Sequence, residues 1–100
     1  MSNLAKLRVI VFDDGGLFVA QCLDHDIVAQ AESLDEALDR LELTIEAEIA
    51  MRASSDLNGI PRAPNYYQEL WKNPSLKIAR VNVAVDNCVP PFDVHFSKAA

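Results

Sequence analysis

The spacing of hydrophobic positions changes several times along the chain, and each change marks an element. Leu7 to Phe12, "LRVIVF", is largely apolar and rich in β-branched residues, which predicts a strand. Asp13-Asp14-Gly15-Gly16 follows directly, and Asp-Gly and Gly-Gly pairs supply the positive φ of tight hairpin turns. "LFVAQCL", Leu17 to Leu23, then reads as the returning strand. The polar "DHD" interrupts the pattern, and Ile27 to Ala31 resumes it as a third strand.

Beyond this point the period lengthens. Leu34, Ala37, Leu38, Leu41, Ile45 and Ile49 fall within a stripe of roughly 120° on a helical projection. They predict a helix from about Leu34 to Ala53 lying on a sheet. Ser33 and Glu36 form a capping-box pattern at its start: the serine hydroxyl serves the Glu36 N–H, and the glutamate reaches back to the serine N–H. The Ser, Asn, Gly and Pro content of "SSDLNGIPRAP" predicts a loop. "NYYQELWKNP" predicts a short helix with Asn65 as cap and Pro74 as stop, with Tyr66, Leu70, Tyr67 and Trp71 packing inward.

"LKIARVNVAVD" alternates at Leu76, Ile78, Val81, Val83 and Val85, with a register change near Ala79-Arg80, and predicts the last strand. The order is α+β, a two-layer βββα(α)β arrangement. It comprises an antiparallel three-strand meander, one long helix on one face and a last strand joining beside the first. Val9 to Phe12 is apolar on both faces, as a central strand requires. The expectation is a single domain over residues 1–100, with a core from about 4 to 87 and a tail from 88 to 100.

Charge narrows the partners. The 100 residues carry a formal net charge of -6, with a sequence pI near 4.7. Phosphate-backbone binding needs a basic patch, so nucleic acid is disfavoured as a direct ligand, and a basic protein suits the chain better. The start resembles no export signal and the longest apolar run is far short of a membrane span, so the expected location is cytoplasmic, with no membrane contact. Cys22 and Cys88 lie far apart without metal-ligand spacing and read as reduced thiols.

The run "DDGGLFVAQCLDHDIVAQAESLDEAL", with the strand before it and the helix after it, resembles the HicB-like antitoxin family. The matching residues are Asp14, Gly15, Gly16, Phe18, Ala20, Cys22, Asp24, Ile27, Ala29, Gln30, Ala31, Ser33, Glu36, Ala37 and Leu38, within a stretch from about residue 6 to 52. The resemblance implies a degenerate ribonuclease-H-like fold without that enzyme's catalysis. It also implies a protein that binds and neutralises a small basic RNA-cleaving toxin and assembles into dimers or larger forms. Complete members often add a C-terminal helix-turn-helix or ribbon-helix-helix. "DNCVPPFDVHFSKAA" is too short and proline-broken for either, so the expectation omits a DNA-binding module.

Candidate chemistry concentrates at Cys22-Leu23-Asp24-His25-Asp26. Adjacent residues on an extended chain point in opposite directions, and aspartates in turns accept local N–H groups, so this reads as a strand connector. Asp24, His25 and Asp26 are carried forward as partner-contact residues, not as ligands. Asp13 and Asp14 raise the two-metal nuclease question but sit at a hairpin tip. No catalytic residue, metal or cofactor is expected.

Asp35, Asp39, Glu42 and Glu46 form an acidic ridge on one flank of the long helix, a docking surface for a basic partner. Leu43, Ala47 and Ala50 lie on another side, and Phe92, Val94 and Phe96 give the tail a period of two. Both groups are expected oligomer contacts, the tail seeking a sheet edge of its own or a neighbouring chain. Three functional expectations follow: an antitoxin-type interaction domain, an orphan structural or regulatory homodimer, and a metal-dependent enzyme built on Asp13, Asp14, Asp24, His25 and Asp26.

Overall fold

The computed structural model describes residues 6–51, 57, 59–72, 76–79 and 92–97. Val81, Val83, Val85 and the register change at Arg80 lie outside the described residues, as do Ala53 and Cys88. The fold is α+β. Strands β1 (Leu7–Asp14) and β2 (Leu17–Cys22) form an antiparallel hairpin with Val9 opposite Cys22 and Asp14 opposite Leu17. β1 runs two residues past the apolar stretch because the turn consists of Gly15 and Gly16 alone. Their φ values of 63° and 93° belong to the two-residue turn whose twist matches a hairpin. Asp13 Oδ1 accepts the Gly16 N–H at 3.2 Å.

Strand β3 (Val28–Ala31) pairs antiparallel with β2. Helix α1 (Leu34–Met51) follows, then α2 (Asn65–Lys72), β4 (Leu76–Ala79) and β5 (Phe92–Ser97). The strand order is β3-β2-β1-β5-β4, so the doubly apolar β1 lies at the centre. Ser33 caps α1 as expected, its Oγ accepting the Glu36 N–H at 3.2 Å. The returning contact differs, because Ser33 Oγ itself donates to Glu36 Oε1 at 3.4 Å.

A strand does join beside the first, but it is β5, parallel to β1 with Leu7 opposite Phe92 and Val9 opposite Val94. The Leu76 segment supplies β4, on the outer side of β5. The expectation that residues 88–100 form a tail outside the core is therefore corrected. Phe92 and Val94 are 1% and 0% exposed and stand on the same sheet face as Val9 and Val11. That face is where the period-two pattern finds its cover. Burying such a side chain is worth roughly 1.5–3 kcal/mol, which favours the strand in the sheet over the same strand exposed to water.

The two faces of the sheet carry different layers. One packs Leu7, Val9, Val11, Ala20, Cys22, Phe92 and Val94 against Ala37, Leu38, Leu41, Ile45 and Ile49 of α1. On the other, Ile10, Leu23 and Ala63 meet Tyr67, Leu70 and Trp71. Phe12 stacks on Tyr67 with ring centroids 5.8 Å apart. Tyr66 is exposed instead of packing inward, and Gln68 is buried, because the inner side of α2 turns the Gln68 amide onto the carbonyls of Leu23 and Ala63. Among the described residues no helix is long and apolar enough to cross a membrane.

Candidate functional site

Three places carry the chemistry that the fold brings together. The first is the turn after β2. Asp24 Oδ2 accepts the Arg8 backbone N–H at 3.0 Å, and Oδ1 accepts Arg8 Nε at 3.1 Å and Nη2 at 2.9 Å. Buried Gln21 donates to Asp26 Oδ1 and the Cys22 carbonyl, both at 2.9 Å. His25 Nδ1 lies 3.3 Å from the Ile60 carbonyl, and the Asp26 N–H donates to Pro61 O at 2.6 Å. Leu23 closes the set, donating to Arg8 O and accepting from the Ala63 N–H.

The three polar residues thus point to three different internal partners. Together they seam β1 to the 60–64 segment that delivers α2 to the far face of the sheet. Cys22 is fully buried beside them, and burial pushes its thiol pKa up. A thiol in such surroundings is a core hydrophobe rather than a nucleophile. Asp13 and Asp14 are exposed at the hairpin end. Among the described residues no group of three or more His, Cys, Asp or Glu converges as a metal site.

The second place is the outer side of α1. Its sequence holds six carboxylates (Asp35, Glu36, Asp39, Glu42, Glu46 and Glu48) and one cation, Arg40, a net -5 in a chain of net -6. Asp35 and Asp39 are exposed, while Glu42 and Glu46 are half-buried. Asp35 and Glu36 stand in the first turn, where the partial positive charge of the helix N-terminus favours them. Diametrically opposite the core stripe run Leu43, Ala47 and Ala50, all exposed, with Leu43 at 63%. Arg40 Nη1 reaches the Gln30 carbonyl at 3.2 Å, tying α1 to edge strand β3.

The third place gathers cations that the sequence did not single out. Along α2 a cleft of about 330 Å³ is lined by Arg8, Arg62, Ala63, Asn65, Gln68, Trp71 and Lys72. Three of the chain's nine basic residues meet there, with no carboxylate among the described residues of the lining. Arg8 belongs to Asp24 and lies 5.9 Å from the Trp71 ring centroid. Lys72 pairs with Glu69 at 3.1 Å on open surface, and Arg62 Nη2 donates to Gln68 Oε1 at 3.3 Å. No spacing signal flags residues 8, 62 and 72; the strand-to-helix crossover brings them together.

Asp93 enters β5 opposite Arg8 and is half-buried, the structural reason being again that the expected tail is a strand. Comparison of the chain with family models, curated proteins and solved structures finds no match in any of the three.

Proposed function

We propose that this chain is a non-catalytic interaction domain of the HicB-like, antitoxin type, which binds and neutralises a small basic RNA-cleaving protein. The observation that carries the reading is the outer side of α1. Nearly the whole net charge of the chain resides on this one helix, next to an exposed apolar crest of Leu43, Ala47 and Ala50. An apolar centre with a charged rim is the composition of a protein contact. The acidic rim selects a basic partner, since two copies apposed through α1 would each bring a net -5 to the contact.

The mode of action is steric. A basic RNA-cleaving surface must present cations to phosphate, and the same cations are drawn to Asp35, Asp39, Glu42 and Glu46. Once docked, the rigid two-sided sheet blocks RNA from that surface without performing any chemistry. The meander, the crossing helix and the parallel strand beside β1 agree with the ribonuclease-H-like arrangement that the family resemblance implies.

Co-expression with the product of any small basic reading frame found next to the gene tests the reading. A complex that co-elutes at low salt and loosens as salt rises is the expected result, because exposed charge pairs are screened. Two proteins that elute separately at low salt would overturn it.

A further inference from the structure

The cleft along α2 lies on the sheet face opposite α1, and the proposed toxin contact leaves it unused. We propose that it binds a small-molecule phosphate monoester of about sugar-phosphate size. The argument begins with charge. Of the three cations in the lining, Arg8 is committed to Asp24 by side chain and backbone. Among the described residues Lys72 is held by Glu69 alone, in an exposed pair, a contact of little net strength that a dianion displaces readily. Arg62 is exposed and makes no ion pair among the described residues; its one bond is to the Gln68 amide. Two available positive charges in a chain of net -6 match the two negative charges of a phosphate monoester.

Geometry adds to charge. Asn65, Gln68 and Lys72 recur at spacings of three and four, so they stand on one side of α2 with Arg62 just before the helix. The Gln68 oxygen holds the Arg62 guanidinium, while its nitrogen is spent on the Leu23 and Ala63 carbonyls. This gives the guanidinium fork one anchor, and its remaining N–H groups suit a tetrahedral oxyanion bidentately. The cleft volume of about 330 Å³ is at the small end of ligand sites. It accommodates a phosphate together with a small polar body.

Trp71 forms the wall for that body. Its ring is pinned flat on His95, with centroids 3.4 Å apart and planes 11° from parallel, so the wall is set before any ligand arrives. A preset wall lowers the ordering cost of binding.

Trp71 is the one tryptophan of the chain, so its emission reports on this cleft. The test titrates the full chain with inorganic phosphate and with ribose 5-phosphate, using ribose and potassium chloride at matched ionic strength as controls. Both phosphates are expected to change the emission saturably, and ribose 5-phosphate to bind more tightly. Arg62→Gln and Lys72→Gln are each expected to weaken binding by about tenfold or more with an unchanged melting temperature, as loss of a charge-assisted bond implies.

Titration calorimetry on the same samples covers the case of a silent fluorophore. The proposal is overturned by any of four results: no saturable response in either method, the same response to ribose or chloride, binding of inorganic phosphate but not ribose 5-phosphate, or variants that keep wild-type affinity. None of these depends on a protein partner, so failure here leaves the reading of α1 untouched, and the reverse holds.

Discussion

Asp24 grips Arg8 twice, taking its backbone N–H on one carboxylate oxygen at 3.0 Å and its guanidinium on the other at 2.9 and 3.1 Å. The two residues are sixteen apart in sequence, and both side chains are about a third exposed. Charge-assisted bonds in that setting are individually stronger than neutral ones, and the backbone contact fixes the start of β1 against the turn. Asp24→Ala is therefore expected to destabilise the fold by about 2–3 kcal/mol, since it strands three half-buried donors of Arg8. Denaturant unfolding checks this, and a midpoint equal to wild type would contradict the role assigned to the turn. His25→Ala, which loses one 3.3 Å contact, should cost far less.

The strand Phe92–Ser97 leads to a second expectation. Phe92 is enclosed between α1's side of the sheet and Leu7, its partner across β1. Phe92→Ala removes a ring from a site with no solvent access and should cost about 3–5 kcal/mol. That is a large share of the stability of a domain this size. If the segment were instead an exposed arm bridging subunits, the same substitution would change the oligomeric state and leave the unfolding transition of the monomer in place. Size exclusion and thermal melting on one sample separate these outcomes.

The local signals explain which parts of the fold were legible. The hairpin, the third strand and α1 are encoded by contiguous patterns: β-branched runs, a Gly-Gly turn and a 3.6-residue stripe with its serine cap. The rank of the strands was not. "LKIARVNVAVD" and "FDVHF" both alternate, and choosing which lies beside β1 depends on long-range burial that no local period reports. Tyr66 lost its expected inward place to Gln68 for a similar reason, because the orientation of α2 is set in part by the carbonyl of Leu23, 45 residues away in sequence. The acidic ridge was visible as a helical repeat. The basic cleft was not, since Arg8, Arg62 and Lys72 share no spacing.

Burial of Cys22 makes a pH expectation. Its thiol pKa is raised by desolvation, so the folded state holds the proton more tightly than the unfolded chain. The contribution to stability is complete below the unfolded thiol value of about 8.5 and is lost as pH rises through the folded value. Stability measured across mildly alkaline pH should fall more steeply for wild type than for Cys22→Ala, which has no such proton. In parallel, iodoacetamide at neutral pH should spare Cys22 in the native protein and label it in denaturant, read by mass spectrometry. Equal labelling in both states would show that the thiol is accessible.

Leu43 provides the sharpest separation of stability from recognition. Its side chain is 63% exposed on the side of α1 opposite the core, so Leu43→Ala should change stability by no more than about 0.5 kcal/mol. Helix propensity argues the same, since alanine is at least as favourable as leucine at an exposed helical position. In the contact proposed for α1, however, Leu43 is the largest group of the exposed apolar crest, with the acidic ridge along one flank, so truncating it removes apolar area from the middle of the contact. Leu43→Ala should then weaken binding of the small basic partner by about tenfold, mainly through faster dissociation. Asp39→Lys, at the exposed rim, should instead slow association and flatten its salt dependence. Surface-bound kinetics at two salt concentrations distinguishes these effects, and an unchanged affinity in both variants would remove α1 from the contact.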